Sequence, residues 1–585
     1  MLSRLTAECN FAPNLVAMRN LLLTASALLL LSCGGNEVIY TSQDAPPPPP
    51  PVKVELVMEN ETNDLMAGRP KLVVGIVVDQ MRTDYLYRYW NDFGEGGFKR
   101  LVGDGFFCSD NHYSYAPTYT GPGHASVYTG TTPAVHGIIA NDWFDREEGM
   151  VYCAKDNSTR GLGTTKKSGR MSPHRLMSTT IADELMLSNQ FQSKIIALSM
   201  KDRGAILPAG GKPTGAYWFI GKDEGNFVTS DWYMDTLPAW VVEFNNRKLS
   251  EQYVSQGWDL LKDVSAYDES YIDNNPYEAP YEGQTRAAFP YDWSDITENR
   301  YNLIKGSPHG ATISIDFAIA AMEAEEMGQD DQPDLLAISI SNTDYAGHQF
   351  GPQSVEVQDT YLRLDLEIKR LLDYLDANVG EGEYTIFLTA DHGGAPVPSY
   401  MESNKMPGGY WKAQAMLDDV DTALQAEFGK GDWVKNYSND QFFFDQELMA
   451  DRNVEMDDIS EVVISVAMKQ PEVYTALAKE EFLEQDYDEL PLRNVQRGIH
   501  PQRSGDVILL VRPGFIEYGF RGTTHGSPFS YDTHVPLIFF GTQIPKGEEI
   551  ARRTHIRDIA PTVARLLRIT QPTGCTGEVI DEIFE

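Results

Sequence analysis

The chain has 585 residues, 42% of them hydrophobic and 11% aromatic, which is enough for a large core and ordinary for a globular protein. Its formal net charge of −37 excludes a broad basic surface, and with it nucleic acid held through backbone phosphates. Against that negative field an anionic substrate needs local cations, so basic residues near a site become informative.

The N-terminus reads as a targeting segment. Met18, Arg19 and Asn20 supply a positive start, Leu21 to Leu31 an apolar stretch too short to span a bilayer, and Leu30-Leu31-Ser32-Cys33 resembles a bacterial lipobox. Residues 1–32 are therefore expected to be a signal peptide starting at Met18, with Cys33 as the lipidated first mature residue. Leu31 is unusual in that motif, which leaves cleavage without lipidation as the alternative. Pro46 to Pro51 make residues 33–69 a stiff, extended tether. The expected location is the periplasm or the outer-membrane or cell surface, with membrane contact only through the anchor.

From residue 70 onward, short apolar runs end in polar residues. KLVVGIVV (71–78) ends at Asp79, KIIALSM (194–200) at Lys201, LLAISI (335–340) leads to Asp344, and YTIFLTA (384–390) ends at Asp391. Such runs predict buried strands, and the helix-like stretches between them predict an α/β fold with a central, mainly parallel sheet sandwiched by helices. Ligands bind beyond the carboxyl ends of such strands, so these ends point to one site. VPLIFFG (535–541) reads as a closing strand and DIAPTVARLLRI (558–569) as a helix with Asp558 at its N-cap. Residues 212–302, dense in Trp and Tyr, and the acidic 400–500 read as insertions, the first either a cap over the substrate or a packed accessory subdomain.

Six residues have the chemistry of metal ligands: Asp79, Asp344, His348, Asp391, His392 and His525. Asp344 and His348, four apart, satisfy one another as easily as they hold a metal. Asp391-His392-Gly393-Gly394 is stronger, because a charge and an imidazole at a strand end are costly to bury unless something satisfies both. His525 in RGTTHGSPFSYDTHVP is flanked by small residues that permit close approach. His112, His174, His309, His500 and His555 lack such context, while His124, His136 and His534 are open to a supporting role. Thr120 lies in YAPTYTGPGHASVYTG, where a Gly- and Pro-rich turn opens a helix and presents a hydroxyl. Cys108, Cys153 and Cys575 fit no zinc spacing. In an exported chain Cys108–Cys153 is the expected bridge, with three unpaired thiols as the alternative.

Together TYTGPGH, VVDQMRTDY, SMKDRGAILPAG, SNTDYAGH, TADHGG and THGSPFSYDTHVP resemble the alkaline phosphatase superfamily. The resemblance is to the PafA-type phosphate-irrepressible alkaline phosphatases and their nucleotide pyrophosphatase/phosphodiesterase relatives, and runs from about residue 70 to the end. It implies two Zn²⁺ per chain and hydrolysis of small phosphate monoesters through a phosphothreonine. Thr120 becomes the nucleophile and a minor metal ligand; Asp79, Asp391 and His392 hold the zinc beside it; and Asp344, His348 and His525 hold the second. Asn141, Lys201 and Arg203 fall on the phosphoryl oxygens.

A threonine hydroxyl is a weak nucleophile at neutral pH, which agrees with activation by a metal. The nearest rival is a phosphodiesterase or nucleotide pyrophosphatase on the same scaffold, and Lys201 with Arg203 favours the monoester. A sulfatase would need a modified Cys or Ser in a C/S-x-P-x-R setting, which the surroundings of Thr120 lack. A non-catalytic surface lipoprotein would be expected to have lost ligands that this chain retains.

Overall fold

The computed structural model describes residues 68–585; the expected signal peptide, Cys33 and nearly all of the tether lie outside them. A ten-stranded sheet forms the centre. From one edge its strands are Glu548–Ile550, Phe106–Cys108, Leu537–Gly541, Tyr384–Thr389, Leu72–Val78, Asp334–Ile340, Ile195–Ser199, Gly215–Ile220, Asn226–Ser230 and Gly161–Leu162. The five strands from Tyr384–Thr389 to Gly215–Ile220 are mutually parallel, and antiparallel strands flank them on both sides. Every residue of Leu72–Val78 and Asp334–Ile340 is buried, as expected for parallel strands covered on both faces.

Two sets of helices make the cover. Thr120–Thr129, Ile181–Ser188, Asp202–Ala209 and Ile559–Leu567 pack together, while Phe98–Gly103, His309–Ala324 and Val355–Leu375 form a separate group. Members of both sets contact Asp334–Ile340 or its neighbour Ile195–Ser199, so the sheet lies between them.

Parallel register fixes the position of the site. Val77 pairs with both Ser339 and Thr389, and Ser339 with Ser199, so four strands end side by side at one edge of the sheet. Asp79, Lys201 and Asp391 leave from those ends. Asp344 comes from the first turn of helix Asn342–Phe350, with His348 one turn later on the same face. Asn, Gly and Asp are weak helix formers, and packing of the segment overrides that preference.

Gly215–Ile220 and Asn226–Ser230 belong to the central sheet although they fall within 212–302, so the irregular part of that stretch starts after them. In the acidic region, Val434–Ser438, Gln441–Phe444 and Val473–Ala478 join Val507–Val511 in a four-stranded sheet. Helices Ala413–Phe428 and Met456–Ala467 cover it and enclose a hydrophobic cluster of its own.

The expected Cys108–Cys153 bridge does not form. Cys108 is buried in the central core and Cys153 in a second cluster with Ala125 and Ile139, and both are free thiols, as is Cys575. Strand and loop hold the two in different layers, and burial pushes the Cys108 thiol up to about 12.

Candidate active site

Thr120 is the first residue of a fully buried helix, Thr120–Thr129, whose preceding residue Tyr119 is extended. Gly123 is needed there, because a Cβ would come 2.4 Å from the backbone oxygen of Asp391. The Thr120 helix is thus pressed directly onto the Asp391-His392 strand end. Three groups converge on Thr120 Oγ1: Lys201 Nζ at 3.3 Å, Arg203 Nη2 at 3.4 Å and His392 Nε2 at 3.5 Å. Asn141 joins from the side, its Oδ1 accepting the Gly121 N–H at 2.8 Å, which leaves its Nδ2 hydrogens for another acceptor.

The three histidines share one device. His348 Nδ1 donates to the carbonyl of Thr523, His392 Nδ1 to that of Gly393 and His525 Nδ1 to that of Thr118, at 2.8, 2.9 and 2.7 Å. A carbonyl only accepts, so each Nδ1 carries a proton; neutral His392 and His525 then keep a lone pair on Nε2, while for His348 burial opposes a charge but Asp344, facing its Nε2, raises the pKa of the ring. Those Nε2 atoms meet carboxylates. His348 lies 3.1 Å and His525 3.5 Å from Asp344 Oδ1, and His392 lies 3.4 Å from Asp79 Oδ1 and 3.5 Å from Asp391 Oδ2. The rings of His392 and His525 stack with centroids 3.4 Å apart.

Two donor sets result, Asp79 with Asp391 and His392, and Asp344 with His392 and His525. His392 stands between them. His348 reaches the second through Asp344.

The electrostatics are those of a cation-binding centre. Asp79 is fully buried, and burial together with Asp344 and Asp391 raises its pKa well above the carboxylate range. Burial likewise pushes Asp391 up to about 6. Asp79 Oδ1 and Asp391 Oδ2 have no hydrogen-bond partner, a costly state for buried carboxylates that a metal ion relieves. Asp344 behaves oppositely: burial opposes its charge, but His348 and Lys201 hold it well below the usual range. Burial lowers His392 and takes His525 down to about 3, so both stay neutral and able to ligate.

Lys201 Nζ lies 2.6 Å from Asp79 Oδ2 and 2.5 Å from Asp344 Oδ2. Burial disfavours its charge, but the two carboxylates outweigh that and keep it protonated. Arg203 is anchored by the Tyr152 hydroxyl at 3.1 Å, and that hydroxyl in turn donates to Asp202.

All ten residues singled out in the sequence gather at this one place. Others escaped notice. Gln80 donates from its backbone to Asp391 and from its side chain to Asp344 at 2.8 Å, spanning both donor sets. Thr343 donates to the carbonyl of Asp79 at 2.6 Å. His124, left open above, bonds the Thr120 carbonyl and Ser339. Only adjacency to Asp79 signalled Gln80, and nothing marked Thr343 or Tyr152.

A buried threonine hydroxyl, paired cations and convergent Asp/His donors at the ends of parallel strands are the parts that a metal-assisted phosphoryl-transfer centre requires. The chain belongs to the type I phosphodiesterase / nucleotide pyrophosphatase family, whose profile matches residues 73–531. It is 42% identical over 520 residues to alkaline phosphatase PafA of Elizabethkingia meningoseptica, covering 88% of this chain and 95% of that one. It is 40% identical to alkaline phosphatase PhoV of Synechococcus elongatus, with 88% and 93% covered. The crystal structure of wild-type alkaline phosphatase PafA superimposes with a TM-score of 0.85 at 41% identity, over 88% of this chain and 99% of that chain.

Proposed function

We propose that this chain hydrolyses phosphate monoesters through a covalent phosphothreonine on Thr120, at a centre holding two zinc ions. The observation that carries the reading is the convergence of Lys201, Arg203 and His392 on Thr120 Oγ1 within 3.5 Å. Its likeness to the alkaline phosphatases named above supports the reaction class. Asp79, Asp391 and His392 would hold one ion, with Thr120 as a minor ligand, and Asp344, His348 and His525 the other. The orphaned carboxylate oxygens, and the three histidines whose Nδ1 is held by a carbonyl so that Nε2 faces the carboxylates, support that donor set. When bound, zinc would supply the positive charge that favours an ionised hydroxyl and a departing oxygen anion.

The chain's own residues do the rest. Lys201 and Arg203 grip two non-bridging oxygens of the substrate, and the Asn141 amide donates to the third. Thr120 Oγ1, having lost its proton to solvent, attacks phosphorus; the bond to the alcohol oxygen breaks, and the alcohol takes a proton from water. A water molecule then enters from the side the alcohol left, the bond between phosphorus and Oγ1 breaks, and phosphate departs. Two in-line displacements retain configuration at phosphorus.

Diester hydrolysis on the same scaffold is the competing reading, and the Lys201–Arg203 pair favours the monoester because a diester has one charge fewer to neutralise. The same proposal takes residues 1–32 as an export signal and Cys33 as a lipid anchor. Thr120→Ala tests the covalent step: turnover should fall by orders of magnitude with fold and zinc content retained, and Thr120→Ser should stay active. An alanine variant that kept most of its turnover would mean direct attack by water.

A further inference from the structure

Lys201 and Arg203 also line a cavity of about 380 Å³, and four more lysines, Lys166, Lys167, Lys222 and Lys305, line it with them. Its single acidic residue among the described residues is Asp202, which is engaged by the Tyr152 hydroxyl and the Arg203 N–H. Lys166 is paired with Glu224 at 3.4 Å, but Lys167, Lys222 and Lys305 have no carboxylate partner among the described residues. In a chain of net charge −37, three lysines without a carboxylate partner lining one cavity with Lys201 and Arg203 are a concentration of positive charge that the rest of the chain does not explain.

The arrangement is also fixed in space. Lys222 follows strand Gly215–Ile220, and Lys305 ends helix Asn302–Lys305. Two hydrogen bonds tie these segments together, from Lys222 N–H to Asn302 Oδ1 at 2.9 Å and from Tyr301 N–H to the Lys222 carbonyl at 3.0 Å. They hold Lys222 at φ +51°, a left-handed conformation that a lysine does not adopt by preference. Lys305 and Lys201 lie against the same Tyr345 ring, 5.9 and 5.2 Å from its centre. The outer lysines therefore adjoin the phosphoryl-binding pair.

Lys201 and Arg203 already answer the charge on the transferred phosphoryl group. The surplus positive charge faces whatever is attached to it, and a neutral leaving group gains nothing from it. We propose that the cavity is a second anion subsite, and that the preferred substrates are phosphate monoesters whose leaving group carries a further phosphate, held by Lys222 and Lys305. The volume suits a small sugar with its second phosphate. This rests on the phosphatase reading above.

The test compares glucose 6-phosphate with glucose 1,6-bisphosphate on the zinc-loaded full chain, in wild type and in Lys222→Gln/Lys305→Gln. Wild type should favour the bisphosphate, and the double variant should lose about tenfold in kcat/KM on it, as two partly exposed charge contacts allow, with under about twofold change on glucose 6-phosphate. Equal losses on both would reduce the lysines to general steering of anions and overturn the subsite. Calorimetry in the Thr120→Ala background separates this from the catalytic reading. There the bisphosphate should bind more tightly, and the difference should vanish when both lysines are replaced. Equal affinities before replacement would overturn the subsite whatever the turnover.

Discussion

Replacing Arg203 tests the proposal that this cation favours monoesters over diesters. Lys201 is the less clean target: it lies within 2.6 Å of both Asp79 and Asp344, so its loss also strips two buried carboxylates of their partner. Among the described residues the hydrogen bonds of the Arg203 guanidinium go to Thr120 and Tyr152, and the Tyr152–Asp202 bond does not depend on it. A donor to charge that develops in the transition state contributes about 2–4 kcal/mol. Arg203→Ala should therefore lower kcat/KM for p-nitrophenyl phosphate by roughly 30- to 1,000-fold. For bis(p-nitrophenyl) phosphate, with one charge fewer and an ester arm in place of one oxygen, the loss should be no more than about tenfold, the scale of an ordinary hydrogen bond. Both substrates are assayed on the same zinc-loaded preparation, so misfolding or metal loss depresses them together. Equal proportional losses would refute the reasoning and leave Arg203 a structural residue.

Further outcomes follow from the same geometry. Purified protein should contain two zinc ions and lose activity to chelators; His392→Ala should lower metal content at one site, and His348→Ala or His525→Ala at the other, with a single ion or magnesium alone in wild type counting against the assignment. A structural carboxylate predicts a pH dependence away from the metals. Asp334, buried and accepting the Lys194 and Gly328 N–H groups, is pushed up to about 6 by burial. Its unfolded value is about 3.9. The stability tied to its neutral form is thus complete below about pH 4 and is lost as pH rises through 6. Asp334→Asn cannot ionise, so urea midpoints should shift in the variant's favour, relative to wild type, between those pH values. Parallel profiles would contradict the burial argument.

The site was legible because strand and ligand coincide in the chain. KLVVGIVV, KIIALSM and YTIFLTA are mostly apolar without alternation and stop at a charge, the pattern of strands in a sheet covered on both faces. The structure places strands at Leu72–Val78, Ile195–Ser199 and Tyr384–Thr389, within one or two residues of those runs. What stayed hidden depends on contacts between distant segments. Gln80 bridges the two donor sets across more than 260 positions, and no local signal encodes such a partner. The cavity lysines come from four separate stretches, and Lys222 and Lys305 line it together where a turn is hydrogen-bonded to a helix. Cys108 and Cys153, in a chain expected to be exported, suggested a bridge, yet cysteine is also among the residues most often buried as a thiol. Packing alone decides between those fates.

The central claim is a covalent bond between Thr120 and phosphorus, and acid-quenching the enzyme during turnover tests it most directly. Rapid quench of the zinc-loaded protein with excess p-nitrophenyl phosphate, followed by proteolysis and mass spectrometry, should yield a phosphorylated peptide spanning Thr120. Fragmentation should place the group on that residue, and the signal should be absent in Thr120→Ala. Phosphate on another residue, or an unmodified peptide from an enzyme under steady turnover at acid and neutral pH alike, would contradict the account.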